Sequence, residues 1–235
     1  MAAEKSTSAR ALKRRIQIKE AVSAVLERKG FRAMKLLDVA EEAKIAPGLF
    51  YHYFPDLRVA ACEVLSEFIA SLASEMASLE RTEDRFLSVY RPTLIWARAY
   101  HNHPGLMRCL VQAADEIPEF ELLWHETNAS WTKKIARSIT RQFPDAKIGG
   151  HASLVIAYAL GSMIDGLLNE AYVHSNADLK KLLKTPEHAA ELLAAVWYRA
   201  LFMTNPPTAL LKKTLKLESL VLAKPYRQKS IGQKK

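Results

Sequence analysis

Cysteine and glycine are scarce in this chain of 235 residues, with two of the first and eight of the second. Cys62 and Cys109 stand alone on stretches of helical period, without the spacing of a metal site, a redox pair or a disulfide framework. They read as small buried thiols in a reducing compartment. The glycines form no phosphate-cradling loop, and neither a Gly-x-Ser-x-Gly elbow nor a His-Glu-x-x-His pair occurs. No catalytic residue, cofactor or metal site is therefore expected. His101-Asn102-His103 is the nearest thing to a metal pair, but it lies beside Pro104 at a helix junction, where a surface or capping role is the simpler reading. The acidic run Asp115, Glu116, Glu119 and Glu121 flanks Pro118 and suits the start of a helix. Clean apolar runs are missing too. The stretch from Ala152 to Leu168 is broken by Ser153, Ser162 and Asp165, whereas a membrane span needs about 18 uninterrupted apolar residues. No signal-peptide pattern opens the chain, so the expected location is the cytoplasm, away from membranes.

What is present is a globular composition, 49% hydrophobic and 25% charged, in a chain long enough to bury a sizeable core. The net charge of +9 sits at the ends: residues 1–15 carry +4 and residues 212–235 carry +7, leaving −2 for the body between them. Basic ends suit a polyanion.

Nearly every segment has helical period and none alternates as a strand, which gives an all-α fold. A first helix spans about Ala11 to Lys29, with Ile18, Val22, Val25 and Leu26 inward and Gly30 ending it. Asp56 can cap a long helix to about Glu80. Further helices are expected over Thr82–Tyr100, from Pro104, from Pro118 to near Phe143, over Gly149–Val173 and over Pro186–Thr204, with an amphipathic one over Leu210–Ala223.

Residues 31–58 are the most telling. Leu36, Val39, Ala40 and Ala43 share a helical face, Ile45 plugs a turn, and Pro47 suits a first helical turn. Phe50 and Phe54 face inward, which turns Tyr51, His52 and Tyr53 outward. So short a helix with three exposed rings has little structural purpose unless it enters a DNA groove.

From about Arg14 to Arg58 the chain resembles the DNA-binding domain of the tetracycline-repressor (TetR) family of bacterial regulators, most specifically in Gly48-Leu49-Phe50-Tyr51-His52-Tyr53-Phe54. It departs from that pattern in four places. No threonine stands near Lys35-Leu36, Lys44-Ile45-Ala46 replaces the common Gly-Val-Ser turn, Leu49 replaces a threonine, and Leu57 stands where a lysine is common, with Arg58 next to it. The resemblance implies an N-terminal three-helix helix-turn-helix head on a helical ligand-binding and dimerisation domain. The corresponding divisions are a basic arm and head over 1–55, a body over 56–205 and a basic tail over 206–235.

On this reading phosphate contacts come from Arg14, Arg15, Lys35, Tyr51, Tyr53 and Arg58, and Lys44 belongs to the same DNA-binding set. Base contacts come from Ala46, Pro47, Gly48 and Leu49, with His52 assisting, so direct readout is modest and mostly apolar. In the body, Trp124 and Trp131 share a face with Phe120, Thr127 and Ile135, and Phe86, Tyr90, Leu94 and Trp96 lie on the preceding long helix. Phe86, Tyr90, Trp96, Trp124, Asn128, Trp131, Tyr158 and Asp165 are the candidates for a small, mainly apolar effector. Helix 149–173 is apolar nearly all round, with a small-residue stripe Val155, Ala159, Ser162, Gly166; with helix 186–204 it is expected to form a four-helix homodimer interface. The expected function is a ligand-responsive DNA-binding transcriptional regulator, a repressor released from a palindromic operator. The alternative is a helical ligand-binding or interaction protein of the same fold that has lost specific DNA recognition.

Overall fold

The computed structural model describes residues 2–143 and 150–214, and every regular element among them is helical. Helix α1 (Ala2–Lys29) begins nine residues earlier than its apolar pattern requires, so the basic N-terminal residues continue a helix instead of trailing as an arm. Gly30 ends it in the left-handed region at φ 83°, its N–H donating to the Leu26 carbonyl at 2.9 Å. Helices α2 (Leu36–Glu42) and α3 (Pro47–Phe50) complete the head. Its core is the expected one: Ile18, Val22, Val25 and Leu26 of α1 pack with Val39, Ala43, Phe50 and Phe54, all buried.

Asp56 caps α4 (Leu57–Ala77), accepting the Val59 N–H at 2.8 Å. Next come α5 (Arg85–Asn102), which contains Pro92, then α6 (Pro104–Glu116) and α7 (Pro118–Gln142). Helix α8 (Gly150–Leu168) runs on into a π-helical turn, Asn169–Val173, which together fill the expected single helix. A short α9 (Ala177–Leu182), without an apolar face of its own, precedes α10 (Pro186–Phe202). Three of these helices open on proline, where a missing N–H costs nothing.

Head and body are joined along α1 and α6. The Glu27 carboxylate accepts the N–H groups of Gly105 and Leu106 at 2.7 and 2.9 Å, so a residue of the head caps a helix of the body. The backbones approach so closely here that a Cβ on Gly105 would lie 2.0 Å from the Glu27 carbonyl oxygen. Glu116, at the far end of α6, pairs with Arg32, and its carbonyl accepts from Arg58 at 3.2 Å.

The helix expected over Leu210–Ala223 does not begin as expected. Thr208–Leu210 is a 3-10 turn and Leu211–Thr214 is not helical. The N–H groups of Lys212, Lys213 and Thr214 converge instead on the buried carboxylate of Glu191 in α10, at 3.1, 2.7 and 2.7 Å. The rest of that segment, with most of the basic tail, lies outside the described residues.

Candidate DNA interface and ligand cavity

The turn between α2 and α3 is built without the residues that most easily make it. Lys44 takes φ 51°, a left-handed conformation that a glycine adopts without strain. Ala46 stands at the N-cap of α3 with no side chain to accept an N–H. At the start of α2, Asp38 at the third helical position makes the reciprocal half of a capping box: it accepts the N-cap Lys35 N–H at 3.0 Å and pairs with Lys29 at 2.6 Å. Chiefly that bond to Lys29 holds its carboxyl below the ordinary range. Gln17 of α1 ties the turn down, donating to the Ala43 carbonyl at 2.7 Å, a contact with no signal in the sequence.

Phe50 and Phe54 are fully buried with ring centroids 5.6 Å apart. Tyr51 stands edge-on to Phe50 and is 59% exposed, His52 is exposed and Tyr53 half-buried. Lys35, Lys44, Ala46, Pro47 and Gly48 are exposed around them, and Leu49 is half-buried. Most of the expected DNA-facing residues are thus open to solvent.

Three of the expected phosphate ligands have acceptors within the protein. The Arg15 guanidinium donates to the Tyr53 carbonyl at 2.5 Å, pairs with Glu63 and lies 4.2 Å over the Phe54 ring. It is the clasp between α1, the end of the recognition turn and α4. Arg58 is turned to the Glu116 carbonyl. Arg14, half-buried, donates to Gln17 at 3.0 Å. Charge and position on a helix suggested phosphate for all three; only tertiary packing reveals the protein acceptors. Arg10 and Lys13, which precede them on the same helix, are exposed.

The body holds a cavity of about 440 Å³, within the range of small-molecule sites. Trp96, Asn128, Trp131, Tyr158 and Asp165 line it. Trp96 and Trp131 meet edge to face at 5.3 Å, and the Trp96 indole N–H donates to Asp165 at 2.6 Å. Burial pushes the Asp165 carboxyl above its ordinary range, against that hydrogen bond. Three candidates fall outside. Phe86 is a core ring stacked on Tyr90 at 5.8 Å and edge-on to Tyr198, and Trp124 packs against the core one turn before the cavity begins at Asn128. Sharing a helix face was not enough, because α7 borders the cavity only from its middle onward.

Sequence reasoning missed two walls. Ala73, Met76 and Ala77 bring in the last turn of α4, and Trp197 and Leu201 bring in α10. It also missed Gln142, whose buried side-chain oxygen has no partner at the cavity edge. His101 and His103, the would-be metal pair, each rest edge-on against a ring, Tyr172 and Phe68 respectively. No cluster of metal-ligating side chains occurs among the described residues.

On α8, Ala152, Val155, Ala159, Ser162 and Gly166 form an exposed stripe, with Val155 68% exposed. The span His151–Val173 is long and apolar enough to cross a membrane, and 22% of its most apolar window is buried within the chain.

A helix-turn-helix head on a helical body with an internal cavity is the architecture of a DNA-binding transcriptional regulator. Residues 18–56, which form the head, match the family of bacterial regulatory proteins known as tetR. A curated relative, the HTH-type transcriptional regulator EthR of Mycolicibacterium smegmatis, is 23% identical over 184 residues, covering 77% of this chain and 83% of that protein. Among solved structures, a TetR-family transcriptional regulator from Bordetella parapertussis aligns with a TM-score of 0.61 at 16% identity, over 78% of this chain and 93% of the other. A transcriptional regulator from Saccharomonospora viridis, solved in complex with choline, aligns with a TM-score of 0.61 at 15% identity, over 79% and 95%.

Proposed function

We propose that this regulator is a cytoplasmic homodimeric repressor, released from a palindromic operator when a small, largely apolar effector enters the cavity. One observation carries the reading: the cavity wall includes the last turn of α4, the helix whose first turn follows directly on the recognition turn. A helix of 21 residues spans about 30 Å, so a displacement at Met76 or Ala77 is delivered to Asp56 and the head as a tilt. An effector that binds one tilt better than the other shifts the population between operator-competent and incompetent spacing of two heads.

Tyr51, Tyr53, Lys35 and Lys44 supply phosphate contacts, joined by Arg10 and Lys13 in place of Arg15 and Arg58. Ala46 to Leu49 present apolar groups to thymine methyls, with His52 beside them. The exposed small-residue stripe of α8, with Val196 of α10 and Met203 just beyond it, forms the dimer face. Burial of that stripe against its copy accounts for an apolar helix on the surface of one chain. The likeness to a regulator solved with choline is in keeping with a small molecule as the signal.

A mobility-shift assay with DNA from upstream of the protein's own gene tests the reading. Discrete, saturable shifts that weaken when a cavity ligand is added support it. Salt-sensitive smearing alone supports instead a protein of this fold that has lost specific recognition.

A further inference from the structure

The cavity is lined mainly by apolar and aromatic side chains, and among its polar ones is a carboxylate with no paired cation. Asp165 lies on α8 in a cavity lining that also includes Trp96, Trp131 and Tyr158. Its one hydrogen bond is to the neutral Trp96 N–H, and no lysine, arginine or histidine among the described residues pairs with it. A buried carboxylate normally keeps a cationic partner, because desolvation otherwise disfavours its charge. Lys134 also borders the cavity, but its side chain is exposed on α7, where water already solvates it.

Resting on the reading of this cavity as the effector site, we infer that its ligand is an amphiphilic monocation: an apolar body carrying one protonated amine or quaternary ammonium, which Asp165 holds while the faces of Trp96, Trp131 and Tyr158 surround it. Rings supply attraction for a cation as well as apolar surface, and the carboxylate supplies a charge-assisted bond in a site of low dielectric. An anionic amphiphile would meet Asp165 as a like charge.

Three probes with the same skeleton separate the possibilities: 4-phenylbutylammonium, neutral pentylbenzene and anionic 5-phenylpentanoate, titrated into the full-length protein and read by tryptophan fluorescence. The ammonium should bind about tenfold to a hundredfold more tightly than pentylbenzene, as for a hydrogen bond to a charged group, and 5-phenylpentanoate most weakly. Asp165→Asn should abolish that preference while pentylbenzene binds as before. Wild-type protein gives a second readout that needs no variant. Ammonium affinity should be present at neutral pH and fall as pH drops through the Asp165 carboxyl pKa, with pentylbenzene unaffected. The other titratable groups around Asp165 are the buried Tyr100 of α5, which feels its charge, and the cavity-lining Lys134 of α7 and Tyr158 of α8 itself. Tyrosines and lysines as classes titrate on the alkaline side, so an acid-side loss belongs to the carboxyl. Equal binding of the ammonium and pentylbenzene to the wild type overturns the inference and leaves the cavity reading standing. Tighter binding of 5-phenylpentanoate does the same. No response to any of the three overturns both.

Discussion

Lys44 and Ala46 show how a fold tolerates the wrong residue at a demanding position. A non-glycine residue in the left-handed region costs about 1 kcal/mol, and a missing N-cap costs a similar amount. Ala46→Ser should therefore raise the unfolding free energy by about 1 kcal/mol, read as a shift in denaturation midpoint. Lys44→Gly should not weaken folding, since strain relief offsets the added chain entropy, but it removes a charge from the DNA-facing surface. The variant should retain its melting temperature and lose operator affinity, with a log–log salt slope smaller by about one per chain. An unchanged slope would take Lys44 off the interface. Tyr51→Phe makes the complementary test. Its ring is exposed and its hydroxyl has no protein partner among the described residues, so operator binding should weaken by several-fold while thermal stability stays within about 0.5 kcal/mol. Stability lost without a change in binding would make the ring a structural element.

At the scale of elements the sequence was legible wherever punctuation and period agreed. Pro104, Pro118 and Pro186 mark helix starts that the structure keeps, and Asp56 caps the helix expected of it. Other features had no local signature. The π-helical turn at Asn169–Val173 continues an apolar pattern that reads as plain α-helix, and α9 is too short to show a period. Arg15 and Arg58 looked free because their acceptors, Glu63 and the Glu116 carbonyl, are distant in sequence. Phe86 and Trp124 looked like cavity residues because sequence spacing reports a face and not what packs against it. The joint of α1 with α6 was likewise invisible, and it makes a sharp prediction. Gly105→Ala would drive a methyl group into the Glu27 backbone, so one of the two helices must shift. The expected cost is about 1–3 kcal/mol, seen as a lower melting temperature, and operator binding should fall with it because the head moves relative to the body. A variant with wild-type stability and wild-type binding would show that this joint yields freely.

For the whole molecule, the proposed dimer face makes the next prediction. A single chain leaves the α8 stripe open to water, an arrangement that a soluble monomer rarely maintains over so long a helix. Val155→Glu places a charge in the middle of that stripe. Sedimentation should show a shift toward the monomer, and operator affinity should collapse because two heads are no longer presented together. Retention of the wild-type mass would move the dimer face elsewhere.

Glu191 redraws where the working body of the protein stops. Composition put the boundary at Asn205-Pro206-Pro207, with everything beyond it a basic appendage. The carboxylate of Glu191, however, is solvated by the chain itself: three successive amides and the Thr214 hydroxyl replace the water it lost on burial. Cutting the chain at 206 leaves that charge stranded within the fold, whereas cutting after Thr214 leaves its shell whole. Truncation products should accordingly fall into two groups, insoluble or low-melting when the cut precedes Lys212 and fully folded when it follows Thr214.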